Sequence, residues 1–333
     1  MHDYIDSIIE FPHNPFGNPI TYVNRETGEM KNYNQKLDLK NGTTSIRVKS
    51  LRDGQAVRIS GNPLSFLQQH NLWGCDDLMA LVGEVFKVVT SMLNIKVDKL
   101  TAQKVEEGEY ELSRVDCAFN FRMPDADMVK KAVREIGWCW FEQNKMVSIY
   151  PDQTAYLNQH SASWSLKFYD KNKQMISTRM KYPCKEQLLK YSLKLVRAEL
   201  TLRGPKLREC ELNRGSDWSD ATLSKRLLIE AINESELAGE VKLHLVPKEI
   251  ELLSAAMKRT YFAWINGNSI KALYGQATYY RHVAEFKSLG IDLRFPPRKD
   301  RVELVKLSEL FVEENIATFP KYARKQGLIF IPE

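Results

Sequence analysis

The chain has 333 residues, 43% of them hydrophobic and 27% charged, which suits a globular protein of two domains rather than one. No run reaches the ~18 apolar residues of a membrane span. The opening MHDYIDSIIEFPHNP lacks the basic-then-apolar order of a secretory signal. The net charge of +6 is unevenly spread: residues 167–209 hold twelve Lys or Arg against four Asp or Glu, an excess of +8, so the rest sums to −2. A basic segment in a near-neutral chain suits a polyanion-binding face, although a solvated helix face has the same composition.

In chain order, YIDSII, SIRVKSL and QAVRIS read as short strands, the last two joined by an Arg52-Asp53-Gly54 turn. Gly61-Asn62-Pro63 ends the third, LSFLQQHN forms a short helical turn, and 76–93 carries apolar residues at helical spacing. YELSRVDCAFNF alternates as a long strand, and Pro124-Asp125 opens a helix to about Ile136. MVSIY with TAYL, then SWSLKFYD, continue as strands, 184–195 as a helix, and LVRAELTLR returns to strand alternation. Beyond about 215 the pattern is helical, which predicts an α+β domain over 1–210 with a largely antiparallel sheet and a mainly α-helical domain over 211–333. The five cysteines (Cys75, Cys117, Cys139, Cys184, Cys210) form no CxxC pair, and the six histidines no HxH or HExxH. Reduced thiols in a cytoplasm fit better than zinc or disulfides.

Polar residues stand out in three strands. Asp116 lies inside Arg114-Val115-Asp116-Cys117-Ala118-Phe119, and Glu199 inside Leu195-Val196-Arg197-Ala198-Glu199-Leu200. A carboxylate in a central strand is costly unless it is paired or bound to a cation. Two readings stand: a shared divalent ion on oxygen ligands, or local pairs with Arg114 and Arg197, two residues away on the same faces. The third strand holds Lys167-Phe168-Tyr169-Asp170-Lys171. A phenol of pKa ~10 is a poor nucleophile unless cations stabilise its phenolate, and Lys167 and Lys171 supply such charge. By itself, Tyr169 could equally be one of fourteen tyrosines on an amphipathic strand.

The three sequences, in this order and spacing, resemble those of the gene II/gene X replication proteins of filamentous phages and of the Rep-trans-type rolling-circle plasmid initiators. Shared features are Arg114-Val115-Asp116 followed by Ala118-Phe119, a strand ending in Tyr169-Asp170-Lys171, and, as in the plasmid group, Arg197-Ala198-Glu199. The most selective match, to the phage group, is Leu67-Gln68-Gln69-His70-Asn71-Leu72-Trp73-Gly74 followed by Asp77-Leu78. The similarity covers roughly residues 45–210.

The resemblance implies an antiparallel-sheet nicking nuclease of the HUH-like kind, here divergent because the chain has no histidine–hydrophobic–histidine triplet. It implies Tyr169 as nucleophile, Asp116 and Glu199 as ligands of Mg²⁺ or Mn²⁺, and Lys171 assisting the phosphate or leaving group. His70 would be a metal ligand, a DNA contact or a structural residue. Tyr156 is the alternative nucleophile. Asn71, Trp73, Arg114, Arg197 and Lys173 are expected DNA contacts. The reaction would be transesterification on single-stranded or supercoiled origin DNA in a bacterial cytoplasm, with helicase and polymerase supplied by the host. No membrane and no nucleotide cofactor are expected, since there is no Gly-x₄-Gly-Lys-Ser/Thr loop.

Residues 269–293 read as helix, turn, helix, and Gln276, Thr278, Tyr279, Arg281 and His282 suit either a recognition helix or a plain helical bundle. Pro296-Pro297-Arg298-Lys299 and Lys321-Tyr322-Ala323-Arg324-Lys325 add basic patches. Rival readings are a DNA-binding regulator without nuclease activity and a metal-dependent phosphohydrolase of small nucleotides. The three retained strands weigh against the first. The basic segment and the tyrosine between lysines weigh against the second.

Overall fold

The computed structural model describes residues 1–150, 153–178, 181–237, 247–289, 291, 293–294 and 307–332. Its centre is a nine-stranded sheet. The strands are β1 (His2–Glu10), β4 (Leu37–Asn41), β5 (Thr44–Leu51), β6 (Ala56–Gly61), β7 (Glu111–Arg122), β8 (Val147–Tyr150), β9 (Thr154–Leu157), β10 (Trp164–Asp170) and β11 (Leu195–Arg203). β2 (Pro19–Val23) and β3 (Met30–Asn34) form a separate hairpin. The order across the sheet is β4-β5-β6-β1-β7-β11-β10-β9-β8, with every pairing antiparallel. The α+β, antiparallel-sheet expectation holds.

Alternation gives the sheet two unlike faces. One presents Ile5, Ile9, Val115, Cys117, Phe119, Phe121, Leu166, Phe168, Val196 and Ala198, all buried. The helices Leu78–Met92, Ala126–Glu142 and Leu223–Glu234 supply Val82, Phe86, Val133, Trp140, Leu228 and Ile232 to the same core. Asp77 and Asp125 cap the first two, accepting from the amides of Ala80 and Met128 at 2.9 and 2.8 Å. The second helix runs past the expected end at Ile136. Gly137 lets it do so against β8, where a Cβ would sit 2.9 Å from the Ile149 side chain. The opposite face of the sheet carries the polar residues.

The expected boundary near 210 does not divide the cores. The helix Leu223–Glu234 and residues 307–311 (Leu307, Phe311) belong to the first core. A chain segment beyond them returns along the sheet: Ile316 bridges Phe121, and the Ala317 amide donates to the Asn120 carbonyl at 2.8 Å. A separate core of Met257, Tyr261, Trp264, Ile270 and Phe286 is built within residues 250–293. Among the described residues, no helix is long and apolar enough to cross a membrane.

Candidate active site

Register assembles the site. Tyr169 faces Arg197 and Lys167 faces Glu199 across β10 and β11, while Asp116 and Ala118 face Thr201 and Glu199 across β11 and β7. Directly opposed residues share a face, so Lys167, Tyr169, Arg197, Glu199, Asp116 and Arg114 all lie on the polar side. Asp116 and Glu199 are diagonal neighbours. β10 ends at Asp170, whose carboxylate caps the helix Lys171–Ser177 through the Lys173 amide at 3.0 Å. That cap turns Lys171 back beside Tyr169, with Nζ 5.9 Å from the ring centre.

Glu199 is the hub. It accepts the Tyr169 hydroxyl proton, pairs with Lys167, and receives Arg197 Nε at 3.2 Å. Lys167 Nζ also lies 4.6 Å from the Tyr169 ring centre. Burial by itself would push the Glu199 carboxyl up, but Lys167 and Arg197 override it and hold the group well below the ordinary carboxylate range. Burial and the Glu199 charge together push the Tyr169 phenol well above 10. The resting pair is therefore a neutral phenol donating to a carboxylate. Burial also drives Lys171 well below a normal lysine, with Arg197 adding to the shift; its Nζ donates to Asn71 Oδ1 at 2.9 Å and Gln174 Oε1 at 3.0 Å.

A third carboxylate, Asp3, belongs to the cluster and is absent from the sequence-derived candidates. The β1–β7 register shifts between His2 and Tyr4, a bulge of the kind that re-aims a side chain. Asp3 Oδ1 accepts from Asn62 and Asn71, each at 2.6 Å, and pairs with Arg197 Nη2 at 2.9 Å. Its only sequence signal is an Asp inside the apolar alternation of β1.

Asp116 is held by Arg114 through two bonds, at 2.8 and 2.6 Å. Burial raises its pKa, Arg114 opposes that, and Glu199 and Asp3 raise it further. Asp116 and Glu199 carry the hard oxygen donors that suit a divalent cation in chemical type. Each is occupied by an internal cation, and among the described residues no group of three or more His, Cys, Asp or Glu is gathered for a metal. A metal would enter by displacing Arg114 or Lys167.

Some expected contacts lie elsewhere. His70 is fully buried; its Nε2–H donates to the Leu328 carbonyl at 2.7 Å, and its Nδ1 accepts from the Leu72 amide at 3.3 Å. Neither nitrogen is left for a metal or for DNA in this arrangement. Trp73 is buried with its indole N–H donating to the same carbonyl at 3.3 Å. Arg197 is wholly buried as a brace between Asp3, Glu199 and the Asn71 carbonyl, 2.5 Å from Nη1. In this arrangement all three are held by internal partners, some local (Leu72, Glu199) and some distant in sequence: Leu328 for His70 and Trp73, Asp3 and Asn71 for Arg197. Asn71 is likewise committed to Asp3 and Lys171. Arg114, Lys167 and Lys173 remain partly exposed. Tyr156, opposite Lys167 on β9, shares the polar face, with Lys167 Nζ 5.8 Å from its ring centre. In the helix Gln276–Ser288, Tyr279 and His282 are buried, while Gln276, Tyr280, Arg281, Glu285 and Lys287 are exposed. Pro296-Pro297-Arg298-Lys299 lies outside the described residues.

Over residues 1–221, the span that builds the whole sheet and its polar face, the sequence matches the family of the N-terminal part of the replication-associated gene II protein. The chain belongs to this family. A curated relative, the replication-associated gene II protein of Enterobacteria phage I2-2, is 29% identical over 303 residues, covering 86% of this chain and 85% of its own length. Among solved structures, a rolling-circle replication initiator protein from Geobacillus stearothermophilus is similar over 71% of this chain and 83% of its own. Identity there is 12% and the TM-score 0.31, too loose to superpose the two sites.

Proposed function

We propose that this member of the gene II protein family initiates rolling-circle DNA replication by nicking one strand through a tyrosine transesterification. One observation carries the reading: the Tyr169 hydroxyl donates to Glu199 while Lys167 lies over its ring, on the polar face of the sheet. Glu199 takes the phenol proton as the Tyr169 oxygen attacks the scissile phosphorus in line. The bond from phosphorus to the 3′ oxygen breaks, the departing oxygen takes a proton from solvent, and a 3′-OH and a 5′-phosphotyrosine result. Energy stays in the phosphodiester, so a later 3′-OH can reverse the step and close a circle. Tyr169 is 6% exposed, so the entering strand displaces the Lys167 side chain from the ring and turns its charge to the phosphate. Mg²⁺ or Mn²⁺ on Asp116 and Glu199 would polarise the scissile phosphate when bound. The free 3′-OH is a primer for a host polymerase, working with a host helicase.

The test is incubation of the protein with labelled supercoiled origin DNA and Mg²⁺, followed by denaturing electrophoresis. Wild type should give a covalent adduct and Tyr169→Phe none, with unchanged circular dichroism. An adduct formed by Tyr169→Phe but not by Tyr156→Phe would move the nucleophile to Tyr156. Normal nicking by the double variant would rule out the tyrosine mechanism in favour of a metal-activated water.

A further inference from the structure

The open face of the sheet also carries cations outside the basic segment 167–209. Four strands away from Tyr169, a cleft of about 260 Å³ opens over β5 and β6, lined by Tyr4, Asp6, Lys36, Arg47, Lys49 and Arg58, with Val48 and Ser60. Four of these are cations and one, Asp6, is an acid. Arg58 pairs with Asp6, and Arg47 with Asp38 at 3.0 Å.

The cleft and the nucleophile share one face by register. Arg47 opposes Ser60, Ser60 opposes Asp6, Asp6 opposes Arg114, and Arg114 opposes Arg203. The link to the site is direct: the Arg114 guanidinium lies 4.3 Å over the Tyr4 ring and is bonded at the same time to Asp116. One wall of the cleft is thus continuous with the carboxylate beside Glu199. No polar side chain of the cleft except Asp6 offers negative charge, so the cleft suits an anion. Its cations come from separate strands and a flanking residue, Lys36, Arg47, Lys49 and Arg58, an arrangement that suits a chain of anions rather than a single one.

We infer that this cleft binds the phosphate backbone of the DNA strand flanking the nick, so that the strand runs from Tyr169 past Arg114 and Tyr4 to Lys36, Arg47 and Lys49. The inference rests on the proposed nicking function and adds where the substrate is held. With strands ~4.8 Å apart, β10 to β6 and β5 spans about 19–24 Å across the sheet, and the row of Arg47 and Arg114 is level with Arg203, six residues or ~20 Å along β11 from Arg197 opposite Tyr169; the diagonal of about 28–31 Å is the length of about eight or nine nucleotides at 3.4 Å rise.

The test uses Tyr169→Phe protein, so that no cleavage intervenes, and fluorescent single-stranded DNA of mixed sequence. Lys36→Gln, Arg47→Gln and Lys49→Gln are combined; Arg58 is kept because it neutralises Asp6. Thermal melting checks the fold, and Lys181→Gln/Lys185→Gln/Lys190→Gln serves as a control of equal charge change. For a 30-nucleotide probe, affinity in the cleft variant should fall at least about tenfold, and the log–log salt slope should flatten by about 2, at ~0.7 per phosphate contact. Shortening the probe to about 5 nucleotides, too short to reach both regions, should shrink that difference. A slope unchanged from the parent, or changed no more than in the control, would remove the cleft from the path while leaving the nicking reading intact. Failure of the parent to bind the probe at all would overturn the strand path, while the nicking reading stands or falls on the covalent adduct with origin DNA.

Discussion

His70 and Leu328 stand 258 residues apart in sequence and 2.7 Å apart in the fold, the imidazole Nε2–H donating to the carbonyl oxygen. Trp73 shares that carbonyl, and the Phe330 amide donates to Gln68 Oε1 at 2.7 Å. The segment that includes Leu328 therefore latches the turn carrying Asn71, and Asn71 in turn holds Lys171, Asp3 and Arg197. In this structure the side chains of the most selective sequence motif bond to the supports of the site: His70 and Trp73 to Leu328, Asn71 to Asp3 and Lys171.

Burial pushes the pKa of His70 down from 6.5 to about 4, Lys171 adding to this and the Leu328 carbonyl opposing it. A depressed histidine pKa means that the unfolded chain binds the extra proton first. Stability is then complete above about pH 6.5 and is lost as pH falls towards 4. Between pH 7 and pH 5 the contribution is about 2 kcal/mol. Urea unfolding of His70→Gln should show a pH dependence flatter than wild type by about that amount; an equal dependence would mean that His70 is not the titrating group.

Asn71→Ala removes an acceptor from Lys171 and a donor from Asp3 but keeps the carbonyl that Arg197 uses. Stability should fall by about 1–3 kcal/mol, and the single-turnover nicking rate should fall while DNA affinity changes little. A loss of affinity with an unchanged rate would instead make Asn71 a DNA contact.

Arg197 is wholly buried between two carboxylates. Replacing it by methionine leaves Asp3 and Glu199 without their shared cation, at a cost of about 3–5 kcal/mol. Denaturant titration reads this directly, and a change under about 1 kcal/mol would show that the carboxylates find other partners.

Glu199→Gln keeps an oxygen that can accept from Tyr169 but not its proton. Nicking should slow by about 100- to 10,000-fold, with affinity for uncleaved DNA retained. Asp116→Ala should also slow nicking, and high Mn²⁺ should restore part of it. Full activity of Asp116→Ala in EDTA would exclude a metal on that carboxylate.

Local sequence determined a good deal of this protein. Two-residue spacing put Arg114 with Asp116, Lys167 with Tyr169 and Arg197 with Glu199 on common faces, because side chains alternate along any strand. Flanking apolar residues required those faces to be part of a sheet, and the strand 195–203 and the helix near 78–92 follow from the same periodicity. What tertiary structure decided is non-local. Strand order set β7, β11 and β10 side by side, so three separate pairs became one cluster around Glu199. A bulge in β1 brought in Asp3, and the returning segment at Leu328 gave His70 and Trp73 an internal partner. Strand spacing in sequence does not encode which strand pairs with which, and a buried polar atom is satisfied by whichever partner the fold delivers.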